Sequence, residues 1–450
     1  MKDLEKKIDA ILTQGVGGFV DPKGKFKQKL LSKASGENVG EVIIKFGVDP
    51  TRPDIHLGHA VVLQKLRQFQ DLGCKVVFLV GDVTAGIGDP TGKDKVRPAI
   101  GQEEIEANMH TYLAQVGGIL SLEPAVFSWI RNSDWFYTIS DIAPGEGKVM
   151  SVEEKALLYK QTRMQLTHLK KPEILDVTLR GLLWTLKYIT HAQLIERDMF
   201  QKRLKEGGAL YMHEMLYPVL QGIDSFAIHK IYGECDLEIG GTDQTFNMLM
   251  GREVMKINGQ PEQAVMSVEI LVGTDGKEKM SKSLGNYIGI TDTSGDMLGK
   301  VMSIPDSAII NYYELCTKIS VDELNKIKLN LQDPKNNPRD AKLALGEEIV
   351  ALYYGRDEAI KAREGFIATF QKKEIPEEVV EIKADRDTPL VDMLIQAEVV
   401  SSKTDWRRLV ERGAVKLLKE GGVEEKVIDP QIRAVAGVYR IGKKRFVKVS

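Results

Sequence analysis

The sequence predicts an α/β protein: a parallel sheet carrying a helical insertion, then an α-helical segment, then a small α+β unit. Three observations carry this prediction. Short aliphatic runs alternate with helical patterns near the N-terminus. A long helical stretch separates these runs from later strand-like segments. The pattern changes to helices alone after about residue 295, and changes again near Ile375–Pro389, where charge rises and periodicity fades.

The elements follow in order. Leu4, Ile8, Ile11 and Leu12 are spaced as on a helix with charges opposite, which is not the pattern of a signal peptide. Glu41–Val48 (EVIIKFGV) reads as a buried strand. Leu57–Leu72 reads as a helix carrying Leu63, Leu66 and Phe69, with Gly73 as its stop. Lys75–Val83 is the next strand, and strand–helix–strand implies a parallel pair with a right-handed crossover. Further strands are expected at Cys235–Ile239 and Val265–Val272. Residues 100–215 are mostly helical in pattern, with an apolar helical run over Asp176–Leu204, too long for a crossover and apolar enough for a partner surface. A turn cluster at Gln332–Pro338 precedes a helix over Asp340–Tyr354. The last segment holds helices at Leu390–Ala397 and Lys403–Arg412, then short β-like runs.

Composition narrows the function. The chain has 450 residues, 43% hydrophobic and 28% charged, so it is globular rather than disordered. Lys and Arg number 62 against 64 Asp and Glu, so any nucleic-acid partner must use local basic patches. Such patches occur in Arg407, Arg408, Arg412, Lys416 and Lys419, and again in Arg440, Lys443, Lys444, Arg445 and Lys448. Cys74, Cys235 and Cys316 are too scattered for a disulfide framework or a cysteine zinc site, which fits a cytoplasmic location. No apolar run approaches the roughly 20 residues that a membrane span needs.

Four stretches carry candidate chemistry. In Lys45–His59 (KFGVDPTRPDIHLGH) a strand ends at Gly47 and Val48, the chain turns at Asp49, and His56 and His59 fall one turn apart at a helix start. Backbone N–H groups there favour anions such as a triphosphate. Taken alone, the pair could equally be surface histidines or half of a metal site. Gly81–Arg97 (GDVTAGIGDPTGKDKVR) resembles a phosphate loop but fails the Walker spacing, and Asp94 stands where Ser or Thr should follow Lys93. Asp89 is a carboxylate suited to an amine, though a structural glycine turn is an equal reading. In Lys277–Ser283 (KEKMSKS), Lys279 and Lys282 could stabilise a leaving pyrophosphate or simply face solvent. Tyr217, Gln221 and Asp224 lie on one helix face as a stripe of hydroxyl, amide and carboxylate, and Gly240–Gln244 (GGTDQ) follows. Buried polar stripes of this kind need partners, for which a ligand is the favoured reading and a structural network the other.

H-L-G-H after a strand, paired with K-M-S-K-S 220 residues on (279 − 59), is the double signature of class I aminoacyl-tRNA synthetases. With D-P-T, G-D-P-T-G-K, Y-P-V-L-Q-G-I-D-S and G-G-T-D-Q, nearly the whole chain resembles the bacterial-type tyrosyl-tRNA synthetases. That resemblance implies a Rossmann-like catalytic domain over residues 1–295, whose insertion at about 100–215 carries the dimer interface. An α-helical anticodon-binding domain over 296–386 and an S-four-like RNA-binding domain over 387–450 would follow. It implies adenylation of L-tyrosine by ATP, with Mg²⁺ accompanying the nucleotide, and transfer to tRNA(Tyr) by a homodimer that touches no membrane. Thr51, His56, His59, Lys279 and Lys282 would be catalytic. Gly47, Asp49, Lys93, Arg97 and Asp243 would bind ATP together with Lys282. Lys45, Asp89, Tyr217, Gln221, Asp224 and Gln244 would bind tyrosine. One departure stands out. Many members have a tyrosine bonding the substrate phenol where this chain has Lys45; another branch has Lys there, and its ammonium would donate to the phenol or pair with Asp224. A tryptophanyl enzyme shares both signatures but not the polar stripe or the C-terminal unit. A small nucleotidyltransferase would lack K-M-S-K-S, and a non-catalytic RNA-binding relative would have lost the signature residues.

Overall fold

The computed structural model describes residues 2–51, 55–89, 102–136, 179–371, 379–383, 388–397, 399–418, 424–442 and 445–450. The chain divides into two compact units, Met1–Thr293 with Lys300–Tyr353, and Ser294–Gly299 with Tyr354–Ser450.

Among the described residues the first unit holds β1 (Val16–Val20), β2 (Ile43–Val48), β3 (Lys75–Val80), β4 (Phe127–Arg131), β5 (Leu237–Gly241) and β6 (Ala264–Val268). They form one sheet in the order β1-β6-β5-β2-β3-β4. Every neighbouring pair is parallel except β1 with β6. The aliphatic runs of β2 and β3 dictate the centre, because a parallel strand is covered on both faces. Ile43, Val77, Leu79 and Ile130 pack with Ala227, Ile228, Met255 and Trp135 on one side. Val76, Phe78 and Val80 alternate to the other side and are also buried. The helix Leu57–Gln70 buries Leu63, Leu66 and Phe69 and links β2 to β3.

The expected α/β architecture is the one observed, with local differences. β1 (VGGFV) was not expected, because two glycines weaken a strand signal and here its pairing with β6 supplies the order. β4 interrupts the stretch read as helical. The strand expected over Val265–Val272 ends at Val268. From residue 179, the apolar run read as helical consists of three short helices, Leu179–Leu186, His191–Ile195 and Asp198–Lys205. Thr190 starts the second: its hydroxyl accepts from Gln193 N at 3.3 Å while Gln193 Oε1 accepts from Thr190 N at 2.7 Å. This reciprocal cap fixes a new helix start inside the periodic pattern.

The second unit contains β7 (Val380–Ile382), β8 (Val415–Leu418), β9 (Glu424–Lys426), β10 (Gly437–Ile441) and β11 (Arg445–Val449), ordered β7-β11-β10-β8-β9. Only β7 with β11 is parallel. The helices Leu390–Gln396 and Lys403–Glu411 close a core of Leu390, Leu394, Trp406, Tyr439, Ile441 and Val447. β7 lies inside the stretch read as a linker; its short, mostly exposed sequence carries little strand signal and its pairing with β11 orders it.

Candidate active site

In the first sheet, β3 and β4 lie to one side of β2 while β5 and β6 lie to the other. The gap beyond the carboxyl ends of β2 and β5 is therefore a topological switch point, where open α/β sheets bind ligands. The candidate residues collect there because they follow the strand ends: Asp49 after β2, Asp89 beyond β3, Asp243 and Gln244 after β5. Gly47 is the exposed penultimate residue of β2, and Thr51 donates its N–H to Asp49 O at 2.8 Å.

Two hydrogen-bonded chains run through the site. In the first, the Tyr217 hydroxyl donates to Asp49 Oδ2 at 2.7 Å and the Thr84 hydroxyl to Asp49 Oδ1 at 2.8 Å. Asn132 Nδ2 donates to Thr84 Oγ1 at 3.1 Å, and Asn132 also bonds Asp224. Trp135 Nε1 donates to Asp224 Oδ1 at 2.9 Å. Gly81 makes the crowding possible, since a Cβ there would collide with Asp49 and Thr84. In the second chain, Gln244 Nε2 donates to Asp89 Oδ2 at 2.6 Å. Asn247 Nδ2 bridges Gln244 Oε1 at 3.0 Å and Gln221 Oε1 at 3.1 Å. Gln221 Nε2 then donates to Glu238 Oε1 at 3.0 Å, which also accepts from Lys45 at 2.8 Å. Lys45 thus pairs with Glu238, not with Asp224.

Burial sets the titration of these groups. It lifts the Asp224 carboxyl to about 7, against the field of Lys45 and the hydrogen bonds of Trp135 and Asn132. The Tyr217 phenol is pushed well up by burial and by Asp49, so it stays a donor.

The helix Leu57–Gln70 begins at the two histidines. Their rings stack at 3.8 Å, and burial lowers His56 to about 3 and His59 to about 4, with Lys279 adding repulsion. Both rings are thereby held neutral at ordinary pH. Lys279 pairs with Asp243 at 3.1 Å, and Lys282 Nζ stands 5.2 Å above the Tyr287 ring. Asp275 and Asn286 shape that loop. Asp275 Oδ1 accepts from Lys277 N and Glu278 N at 2.9 and 3.1 Å, and Asn286 bonds both Asp275 and Ser281 N. Immediately after it, Ile288 O accepts from Leu57 N at 2.9 Å, which ties the lysine loop to the histidine helix.

Lys93 and Arg97 lie outside the described residues. Hydrogen bonds or ion pairs join Asp49 with Tyr217, Asp89 with Gln244, Gln221 with Lys45, and Asp243 with Lys279. Sequence reasoning missed Thr84, Asn132, Trp135, Glu238, Asn247, Asn286 and Tyr287, and also Arg197. The Arg197 guanidinium lies 5.2 and 5.3 Å over Phe200 and Phe246, and burial lowers its basicity against the fields of Asp89, Tyr217 and Asp243.

The family of tRNA synthetases class I (W and Y) matches residues 37–371. A tyrosine–tRNA ligase 2 of Clostridium acetobutylicum is 40% identical, over 100% of this chain and 99% of the relative. A tyrosine–tRNA ligase of Thermotoga maritima is 39% identical, over 91% of each. The C-terminally truncated mitochondrial tyrosyl-tRNA synthetase of Aspergillus nidulans matches with a TM-score of 0.56 at 21% identity, over 82% of this chain and 99% of that one. Tyrosyl-tRNA synthetase of Archaeoglobus fulgidus, complexed with L-tyrosine, gives 0.53 at 18% identity, over 80% and 100%. At these identities the structural likeness speaks for the fold, whereas the family match and the full-length relatives speak for descent. The chain belongs to the class I tRNA synthetases of the tryptophan and tyrosine group.

Proposed function

We propose that this chain is a tyrosine–tRNA ligase, activating L-tyrosine with ATP and passing the tyrosyl group to tRNA(Tyr). The observation that carries the choice of amino acid is Asp224. It is a buried carboxylate with one oxygen fixed by Trp135 Nε1, suited to accept from a phenol. A site that hydrogen-bonds a hydroxyl rejects the analogue lacking it by stranding its own polar groups, a rule whose standard example is this very enzyme family.

In this reading Asp89, Tyr217, Gln221 and Gln244 surround the substrate ammonium and carboxylate. The carboxylate attacks the α-phosphate of ATP, and pyrophosphate leaves. Asp243 takes the ribose, Gly47 and Asp49 contribute to the ATP site, Thr51 contacts the phosphates, and Lys93 and Arg97 are assigned as helpers of the phosphate charge. His56 and His59, being neutral, donate N–H groups to the reacting phosphate, while Lys279 and Lys282 carry the charge that develops on pyrophosphate. Such chemistry is positioning and electrostatics, with no covalent enzyme intermediate required. Mg²⁺ would accompany ATP and help to neutralise the phosphate charge.

The segments 296–386 and 387–450 are assigned to anticodon and RNA recognition, and the protein to the cytoplasm. Exposed Leu179, Leu183, Trp184 and Tyr188 support a symmetric dimer through the insertion. Sedimentation should give twice the chain mass; a fully active monomer at micromolar concentration would exclude the dimer. The function itself is tested by single-turnover trapping of tyrosyl-adenylate on the purified enzyme, followed by transfer to tRNA(Tyr). Absence of the adenylate with saturating tyrosine and ATP would refute it.

A further inference from the structure

Lys45 stands in the middle of β2 with its side chain fully buried. An ammonium has three protons to donate, and protein groups take all of them. They are the Gln221 carbonyl at 2.8 Å, Ser225 Oγ at 2.7 Å and Glu238 Oε1 at 2.8 Å. Glu238, on β5, is equally enclosed. Its Oε1 accepts from Lys45 and from Gln221 Nε2 at 3.0 Å, and its Oε2 accepts from Ser225 Oγ at 2.9 Å and Gln263 Nε2 at 3.0 Å. Gly251 leaves room for this cluster, since a Cβ there would come within 2.8 Å of Glu238 Oε2 and 2.6 Å of Gln263 Nε2.

We infer that Lys45 is a positioning residue and not a ligand of the substrate phenol: with Glu238 it clamps the helix Met212–Tyr232 onto β2 and β5 and so sets where Gln221 and Asp224 stand. The inference rests on the pocket reading above and deepens it. Gln221 is gripped twice, by Lys45 at its carbonyl and by Glu238 at its amide. Asp224 is three residues further along the same helix and shares its face. Any slip of the helix therefore moves both groups that read the amino acid. Removing one member of such a pair strands the other charge, whereas removing both leaves no stranded charge.

The test is a double-mutant cycle on the full-length enzyme: Lys45→Met, Glu238→Gln, and both together. Pyrophosphate exchange gives kcat and KM for tyrosine and phenylalanine, and the unfolding midpoint is recorded for each variant. Lys45→Met alone should lower kcat/KM for tyrosine about 100-fold, the cost of displacing a positioned group by an ångström. Adding Glu238→Gln should restore about tenfold of that, and the preference for tyrosine over phenylalanine should return to within about threefold of the parent. A phenol donor would be missing from single and double variants alike, so additive losses with selectivity collapsed in both overturn the inference. If Lys45→Met does not fold, the double variant decides: parent-like selectivity supports the clamp, and collapsed selectivity refutes it. A double variant that fails to fold also refutes it, since no stranded charge is left to explain the failure. Asp224→Asn separates the two layers. Unchanged selectivity there removes the pocket reading and the inference with it; collapsed selectivity beside an additive cycle removes the inference alone.

Discussion

Acidification should narrow the difference between tyrosine and phenylalanine. Burial holds the Asp224 carboxyl at about 7, well above the ordinary value for an aspartate. Its ionised form accepts a charge-assisted bond from the phenol, which protonation replaces with a weaker neutral one; Trp135 Nε1 already sits on Oδ1 at 2.9 Å and Asn132 also bonds the carboxyl. Below about pH 7 the ionised fraction falls tenfold per pH unit, so at about pH 5.5 tyrosine should bind more weakly than at about pH 8, by at most roughly 30-fold. Phenylalanine offers no proton, so its weak affinity should stay flat or improve on acidification. The same shift acts on the fold with a definite sign. The folded carboxyl holds its proton more tightly than the unfolded one, near 3.9. The stability this contributes is therefore complete below about pH 3.9 and is lost as pH rises through about 7, a swing of about 4 kcal/mol. Equilibrium titrations of tyrosine and phenylalanine from pH 5 to 8, on the parent and on Asp224→Asn, check the argument. Parallel profiles for the two amino acids, or an Asn variant that keeps the tyrosine profile, would refute it.

Other expectations follow from the same site. Lys282→Ala should slow adenylate formation by roughly 10²–10³-fold, the value of one transition-state contact, and leave tyrosine binding intact; an unchanged single-turnover rate would contradict its role. Because burial lowers His56 and His59 to about 3 and about 4, neither should add an acid limb between pH 5 and 8. Replacing both with Asn should preserve the unfolding midpoint while slowing activation, and restoration by zinc would instead indicate a metal site. Removing the C-terminal sheet from β7 onward should spare tyrosine activation and weaken tRNA binding, with a shallower salt dependence. Equal affinity at several salt concentrations would exclude an RNA role for that segment.

The parallel core was legible because β2 and β3 are aliphatic runs that only a doubly covered strand explains. The histidine and lysine motifs were legible because their chemistry is local: a helix start, and a loop bearing two cations. What joins them was not. The Ile288 contact to the histidine helix depends on backbone pairing between residues 231 apart (288 − 57). Trp135 and Asn132 sit beyond β4, inside a stretch whose periodicity suggested helices, so nothing marked them as supports for Asp224. Lys45 was legible as anomalous, and of its two expected partners the pairing with Asp224 gives way to Glu238. A lone Lys in a central strand must find an acceptor, and Glu238 in an otherwise apolar strand was the complementary signal. Only the order β5-β2 sets the two side by side, and strand order is not written in either run.

The central claim is that this pocket selects tyrosine, and ATP–pyrophosphate exchange measured across the twenty amino acids tests it most directly. The account predicts exchange with tyrosine far above every other amino acid, with selectivity over phenylalanine that collapses in Asp224→Asn. Faster exchange with tryptophan, which the same family also serves, or selectivity that survives Asp224→Asn, would contradict it.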